Sequence, residues 1–211
     1  MEIDPQRQSA QANYKLLTNL VVPRPIAWVT SLGDHGQINL APFSFFNALG
    51  ADPVLLGFSI GRYDDGRLRD TATNILRHPE FVVHMVTEEF MAAMNLSATD
   101  FPASESEVDI CGLRTQSSVQ VQVPRLAEVQ VSMECRLFKH IELGKNLLVI
   151  GEVLMFHVHD EYMAERMHIQ NFYPVGRMGS PSRYCRTNQV FDVPRMSYEL
   201  WLKKLEDQQH R

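Results

Sequence analysis

The sequence predicts a mainly β protein, an antiparallel sheet closed or half-closed into a barrel with a few peripheral helices. Three observations predict it. Two later segments alternate cleanly between apolar and polar residues, the period-two signature of strands. The early apolar runs are parted by turn residues rather than by helices. Strand and helix nowhere alternate regularly, as a parallel sheet would require.

The elements follow in order. "IAWVTS" (26–31) is short, apolar and β-branched, and reads as a strand. "LGDHG" (32–36) has turn chemistry and "QINLA" resumes extended structure, which is a hairpin signal. "NLAPFSFFN" (39–47) fits neither period. Phe43, Phe45 and Phe46 crowd among small polar residues there. Pro42 cannot donate a ladder hydrogen bond, so a strand must break or lie on an edge at that point. The stretch is either a core strand that happens to be aromatic or a loop built to hold a flat ligand, and the loop is the reading that the resemblance given below implies. "PVLLGFSI" (53–60) is a strand apolar on both faces.

Asp70 or Thr71 is expected to cap a short helix through Ile75 and Leu76, ending before Pro79. "FVVHMV" (81–86) returns to strand, and "TEEFMAAMNLSA" (87–98) reads as a helix capped by Thr87. Residues 99–117 are polar and irregular, an expected mobile excursion. "SVQVQV" puts Val119, Val121 and Val123 on one strand face. "VQVSMECRL" sets Val129, Val131, Met133, Cys135 and Leu137 against Gln130, Ser132, Glu134 and Arg136. "NLLVIGEVLMFHVHD" is a long strand in which Gly151 marks a bulge or a close backbone approach. A loop-rich tail leads to "SYELWLKKLEDQQ", a terminal helix.

Composition bounds the function. The chain has 211 residues, 45% hydrophobic, 21% charged and 9% aromatic, enough to bury a core without staples. A formal net charge of -5 argues against a nucleic-acid partner. No apolar run approaches the roughly 20 residues of a membrane span, so no membrane partner is expected. The opening "MEIDPQRQSAQANYKLL" has no signal core. Cys111, Cys135 and Cys185 form neither a zinc-type pair nor a disulfide framework. A cytoplasmic, reducing setting is expected.

Several motifs tempt and are discounted. "GFSIG" (57–61) matches a nucleophile elbow at Ser59, but a loop rather than a helix follows it. "GRYDDGRL" (61–68) lacks the Lys and Ser or Thr of a P-loop. "HVHD" (157–160) puts His157 and His159 on one strand face with no third ligand in view, so no metal is expected. One constellation survives. Ser44 and Asn47 offer hydrogen bonds beside three phenylalanines, as a flat heteroaromatic ring needs. Ser59, Arg62, Arg69 and Thr71 gather hydroxyls and guanidiniums near a helix start, a reasonable phosphate cradle. Together they suggest a nucleotide-like cofactor such as a flavin, against plain core packing plus a surface salt-bridge cluster.

"PRPIAWVTSLGDHGQINLAPFSFFNALGADPVLLGFSI", "RDTATNILRHPEFVVHMV", "GEV" and "YPVGRMGSPSRY", in that order, closely resemble the flavin reductase-like, FMN-binding split-barrel family of flavoredoxins and NAD(P)H:flavin oxidoreductases. The resemblance runs from about Pro23 to Pro194. It divides the chain into an N-terminal extension (1–22), the split-barrel domain (23–194) and a C-terminal helix (195–211). It implies a Greek-key split barrel that forms homodimers, with FMN at or near the subunit interface. By that similarity Thr30, Ser31, Ser44, Phe45, Asn47 and Ser59 line the flavin, and Arg62, Arg69, Asp70 and Thr71 lie near its phosphate. NADH or NADPH would supply hydride, and a small acceptor would receive the electrons. No protein acid–base pair is required, because the chemistry belongs to the cofactor. Arg177, Tyr184 and Arg186 either attend the second substrate or pack a dimer. The competing expectations are an FMN-bearing electron carrier serving a partner redox protein and, remotely, a serine hydrolase at Ser59. No dinucleotide glycine fingerprint separates NADH from NADPH.

Overall fold

Where the sequence runs apolar or alternates, strands form, and in the computed structural model, which describes residues 1–179 and 181–209, seven of them pair into one sheet. In chain order the strands are β1 (Ala27–Leu32), β2 (Ile38–Phe43), β3 (Phe46–Ala51), β4 (Val54–Gly61) and β5 (Glu80–Met85). Two-residue strands β6 (Thr115–Gln116) and β7 (Arg125–Leu126) follow, then the long β8 (Val131–Leu143) and β9 (Asn146–Val158), and finally the short β10 (Gly176–Arg177) and β11 (Tyr184–Cys185). The α-helices are α1 (Ala10–Leu20), α2 (Asp70–Arg77), α3 (Met91–Leu96), α4 (Glu107–Ile110) and α5 (Tyr198–Gln209). Residues 210 and 211 of the expected C-terminal segment lie outside the described residues.

The main sheet runs β2-β1-β5-β8-β9-β4-β3, antiparallel throughout. Its two ends are β2 and β3, yet only Ser44 and Phe45 separate them in sequence. The sheet must therefore curl until its ends meet. Ser59 of β4 donates its amide to the Phe45 carbonyl at 2.9 Å, fastening that corner. No ladder joins β2 to β3 among the described residues, so the barrel stays split. The mainly β, antiparallel expectation holds. Pro42 lies on an edge strand, opposite Trp28, where its missing N–H costs no ladder bond.

The interior is aromatic and β-branched. Phe58 and Phe81 meet edge to face at 5.5 Å, and Phe43 packs on Phe58 at 5.2 Å. Gly151 permits this: a Cβ there would stand 2.3 Å from Phe81 Cζ, so the close-approach reading of that glycine is correct. A second apolar cluster around Trp28, Leu40, Val86 and Leu126 lies under α3 and α4. The Trp28 indole N–H is satisfied by Ser97 Oγ at 2.9 Å.

Several expectations need correcting. The loop expected across "NLAPFSFFN" shrinks to Ser44 and Phe45, because β3 starts at Phe46. "SVQVQV" is not a strand. The amides of Val119, Gln120 and Val121 go to the Glu134 carboxylate at 2.7, 2.5 and 3.2 Å, which replaces a neighbouring strand as acceptor. That loop lies over the face of β8 expected to be wet, so Ser132 and Glu134 are buried. Helix α2 is entered from Arg69, not capped by Asp70 or Thr71. The Thr87 hydroxyl turns to Glu89 and Gln130, and its segment opens as one 3₁₀ turn before α3. The stretch expected to be mobile contains α4 and is tied to β2 by Ser106 Oγ on the Ile38 carbonyl at 2.7 Å. Helix α1, capped by Ser9 on the Ala12 amide, lies in what was read only as an extension.

Candidate functional site

The β1–β2 hairpin sets Asn39 directly opposite Ser31. The Asn39 amide donates to Ser31 Oγ at 3.2 Å and to Thr71 Oγ1 at 2.8 Å, while Asn74 donates to the same Ser31 hydroxyl at 3.2 Å. Ser31, Asn39 and Thr71 are all buried. Two strands and the first turn of α2 are thereby pinned together. That turn opens on a cavity of about 300 Å³. Pro42, Phe43, Tyr63 and Phe101 give it apolar walls, and Asn39, Arg69, Asp70, Thr71, Asp100 and Glu107 give it a polar rim.

The first amides of a helix have no partner within it. Here no side chain caps them, so they remain available to a ligand. Arg69 lies beside them, paired with Asp100 at 2.5 Å and stacked over Tyr63 at 4.7 Å. Burial, with Asp70 and Asp100 nearby, raises the Tyr63 phenol. Glu107 is also raised by burial, against the hydrogen bond it accepts from the Leu40 amide at 2.9 Å.

The sequence-predicted residues divide between two places. Arg69, Asp70 and Thr71 line the first cavity, with Ser31 behind Asn39. Ser44, Phe45 and Asn47 line a second cavity of about 400 Å³ at the corner between β2 and β3. Thr30, Ser59 and Arg62 line neither cavity. Thr30 is buried and donates to the Pro124 carbonyl at 3.0 Å. Arg62 is engaged by both Glu142 oxygens, at 2.9 and 2.8 Å. Ser59 stands in mid-strand, its hydroxyl bonded to no histidine among the described residues, and β4 runs through it to Gly61. The strand–turn–helix context of a nucleophile elbow is missing.

Arg177 donates to the Tyr184 hydroxyl and lies over its ring at 4.6 Å, whereas Arg186 pairs with Glu88 and lines neither cavity. His157 is held by Glu134 at 2.6 Å. Burial holds His84 down to about 4, a neutral imidazole that accepts the Leu126 amide and bonds the Trp28 carbonyl, each at 2.9 Å. Among the described residues no cluster of three His, Cys, Asp or Glu is placed to hold a metal. Sequence reasoning missed Asn39, Glu107 and Arg24. The hairpin register, which puts Asn39 across from Ser31, was the available signal for the first; nothing in the sequence marked the other two.

Residues 19–176 match the model of the flavin reductase like domain. The chain belongs to the flavin reductase-like family. Nitrilotriacetate monooxygenase component B from Bacillus cereus is 35% identical and superposes with a TM-score of 0.87, over 92% of this chain and 98% of that one. The 2-nitrobenzoate 2-nitroreductase NbaA of Pseudomonas fluorescens is 33% identical with a TM-score of 0.85, over 94% and 98%. A split barrel domain protein of Shewanella frigidimarina shares the fold at 19% identity, with a TM-score of 0.80 over 93% and 100%. The flavin reductase-like chain is thus a split barrel, and no described helix in it is long and apolar enough to cross a membrane.

Proposed function

We propose that this flavin reductase-like protein binds FMN, takes hydride from NADH or NADPH onto it, and passes the electrons to a small acceptor. The single observation that carries the reading is the uncapped first turn of α2, fixed by the Asn39–Thr71 bond and opening on an aromatic-walled cavity. The donor set fits a flavin mononucleotide. Backbone amides and Arg69 suit a phosphate, Asn39 and Thr71 suit a polyol, and Pro42 and Phe43 give a flat apolar wall. Ser44, Phe45 and Asn47, one to four residues beyond Phe43, suit the ring edge. Asp100 sits on Arg69 and must yield or share it when a phosphate enters.

Bound flavin supplies the redox chemistry, so the chain's own task is to hold, orient and shield. The two relatives of about one-third identity, a monooxygenase component and a nitroreductase, support a redox role with a small acceptor. A homodimer in the cytoplasm is part of the proposal. Leu49 on edge strand β3 and Phe138 and Leu143 on β8 are each more than half exposed, apolar surface suited to a second copy.

The test is the visible spectrum after FMN is added and the excess removed by desalting. Retained bands near ~375 and ~450 nm, which belong to the oxidised cofactor, followed by their bleaching with NADH or NADPH, are the expected result. A colourless protein overturns the reading. FAD offered in parallel decides between the two flavins, and light scattering decides the dimer.

A further inference from the structure

The cavity at the start of α2 carries the wrong balance of charge for a phosphate. Asp70, Asp100 and Glu107 line it against Arg69, the one cation among its lining residues. An arriving phosphate brings more negative charge to a rim where carboxylates already outnumber the guanidinium. We propose that Glu107 takes up a proton from solvent as FMN binds, so that flavin mononucleotide and one proton enter this site together. The inference rests on the flavin reading and adds to it the regulation of that site by pH.

The three carboxylates are not equivalent. Asp100 is exposed and already paired with Arg69 at 2.5 Å. Asp70 opens α2, where the positive end of the helix favours a carboxylate that keeps its charge. Glu107 has neither advantage. It is 7% exposed, and no cation pairs with it among the described residues. Its Oε2 accepts the Leu40 amide at 2.9 Å, and its other oxygen is bonded to no other described residue. Burial raises its carboxyl and the Asp70 charge adds to that, against the amides of Leu40 and of Glu107 itself. A buried carboxylate without a counter-ion is costly, and taking a proton relieves the cost.

The titratable and charged groups around this carboxyl come from several elements. Arg69 and Asp70 come from the entry to α2, Asp100 from the segment after α3, and the Tyr63 phenol from the turn after β4. Asp109 shares α4 with Glu107, and the Cys111 thiol at its end is raised by burial and by the Glu107 charge. Only Arg69 favours a charged Glu107, and it is the group a phosphate engages. Once that happens Asp100 loses its partner and the rim becomes more negative, which strengthens the demand for a proton. A neutral Glu107 no longer repels the anion. It can donate its O–H to a phosphate or polyol oxygen while Oε2 keeps the Leu40 amide. The proton is held more tightly in the complex than in the free protein, so FMN affinity is greatest in acid and falls as pH rises between the two values.

FMN titrated calorimetrically over a range of pH, in pairs of buffers that differ in ionisation heat, counts the protons taken up by wild type and by Glu107→Gln. The Gln carbonyl can still accept the Leu40 amide, and the phosphate's own second ionisation, near about 6, is common to both proteins. The expected result is uptake that reaches about one proton more per FMN in wild type, with an affinity that falls up to about tenfold more per pH unit than the variant's. Equal uptake by the two proteins overturns the proposal, because the proton then sits on the phosphate, Asp70 or Asp100. So does FMN binding without uptake, which leaves the flavin reading standing. Failure to bind FMN at any pH removes the flavin reading and this inference with it. If circular dichroism shows Glu107→Gln unfolded, Asp70→Asn, Asp100→Asn and the phosphorus resonance of bound FMN decide. Uptake kept in both variants with a dianionic phosphate leaves the proton on Glu107, and any other result overturns the proposal.

Discussion

Asn39 and Thr71 meet side chain to side chain at 2.8 Å, both buried, and through Ser31 they join a hairpin to a helix start. The helix amides that face the cavity are only as well aimed as this bond makes them. Asn39→Ala leaves the buried Thr71 hydroxyl without this donor and the Ser31 hydroxyl with Asn74 alone. It is expected to cost about 1–3 kcal/mol of stability in urea denaturation and to lower FMN retention after desalting.

Arg69 and Asp100 form a pair that a phosphate must compete with. Asp100→Asn removes the competitor, so FMN affinity should rise several-fold while riboflavin affinity stays put. Arg69→Ala should weaken FMN on the order of tenfold and again spare riboflavin. Flavin fluorescence titration reads both. Equal effects on FMN and riboflavin would remove Arg69 from the phosphate end.

Acid sensitivity follows from His84 and Glu134. His84 titrates at about 4 in the fold against 6.5 unfolded, so between those values the unfolded chain binds a proton that the folded one does not. Stability should therefore fall as pH drops through that window, by roughly 3 kcal/mol at pH 4. Burial pushes Glu134 up, but the amides of Val119 and Gln120 and the His157 ring outweigh it and leave its pKa lowered. Its contribution is present above its ordinary value of 4.5 and is lost as pH falls through the depressed one. His84→Gln should flatten the upper part of the stability–pH curve and leave the lower part, with hydrogen exchange showing residues 118–123 released first.

Gly151→Ala drives a methyl to 2.3 Å from Phe81 in a packed interior. It is expected to destabilise by about 1–3 kcal/mol in chemical denaturation, and Phe81→Leu should recover part of the loss.

Strand periodicity and turn residues made the barrel legible in the sequence, because β1, β2, β4, β5, β8 and β9 each bury apolar side chains by local rules. The misreadings arose where a distant group intervened. Val119 to Val121 alternate like a strand, but their amides are claimed by a carboxylate 13 to 15 residues away. Glu134 and Ser132 look solvent-facing until that loop covers them. At the candidate site the RDT turn and the PFSFFN corner were visible as residues. Their division between two cavities was not, since Phe43 and Ser44 are neighbours in sequence and point to different spaces. Arg24 was silent because three of its four hydrogen bonds go to carbonyls, which no side-chain motif encodes.

The two-residue link from β2 to β3 both bridges the split between the ends of the sheet and builds one wall of the second cavity. There is no slack in it. An inserted residue would unlatch the corner that Ser59 fastens to Phe45, so this pocket cannot diversify by growing or trimming a loop. Its ligand range can change only by exchanging side chains in place, which makes Ser44 and Phe45 the positions where descendants of this scaffold, natural or engineered, would part company.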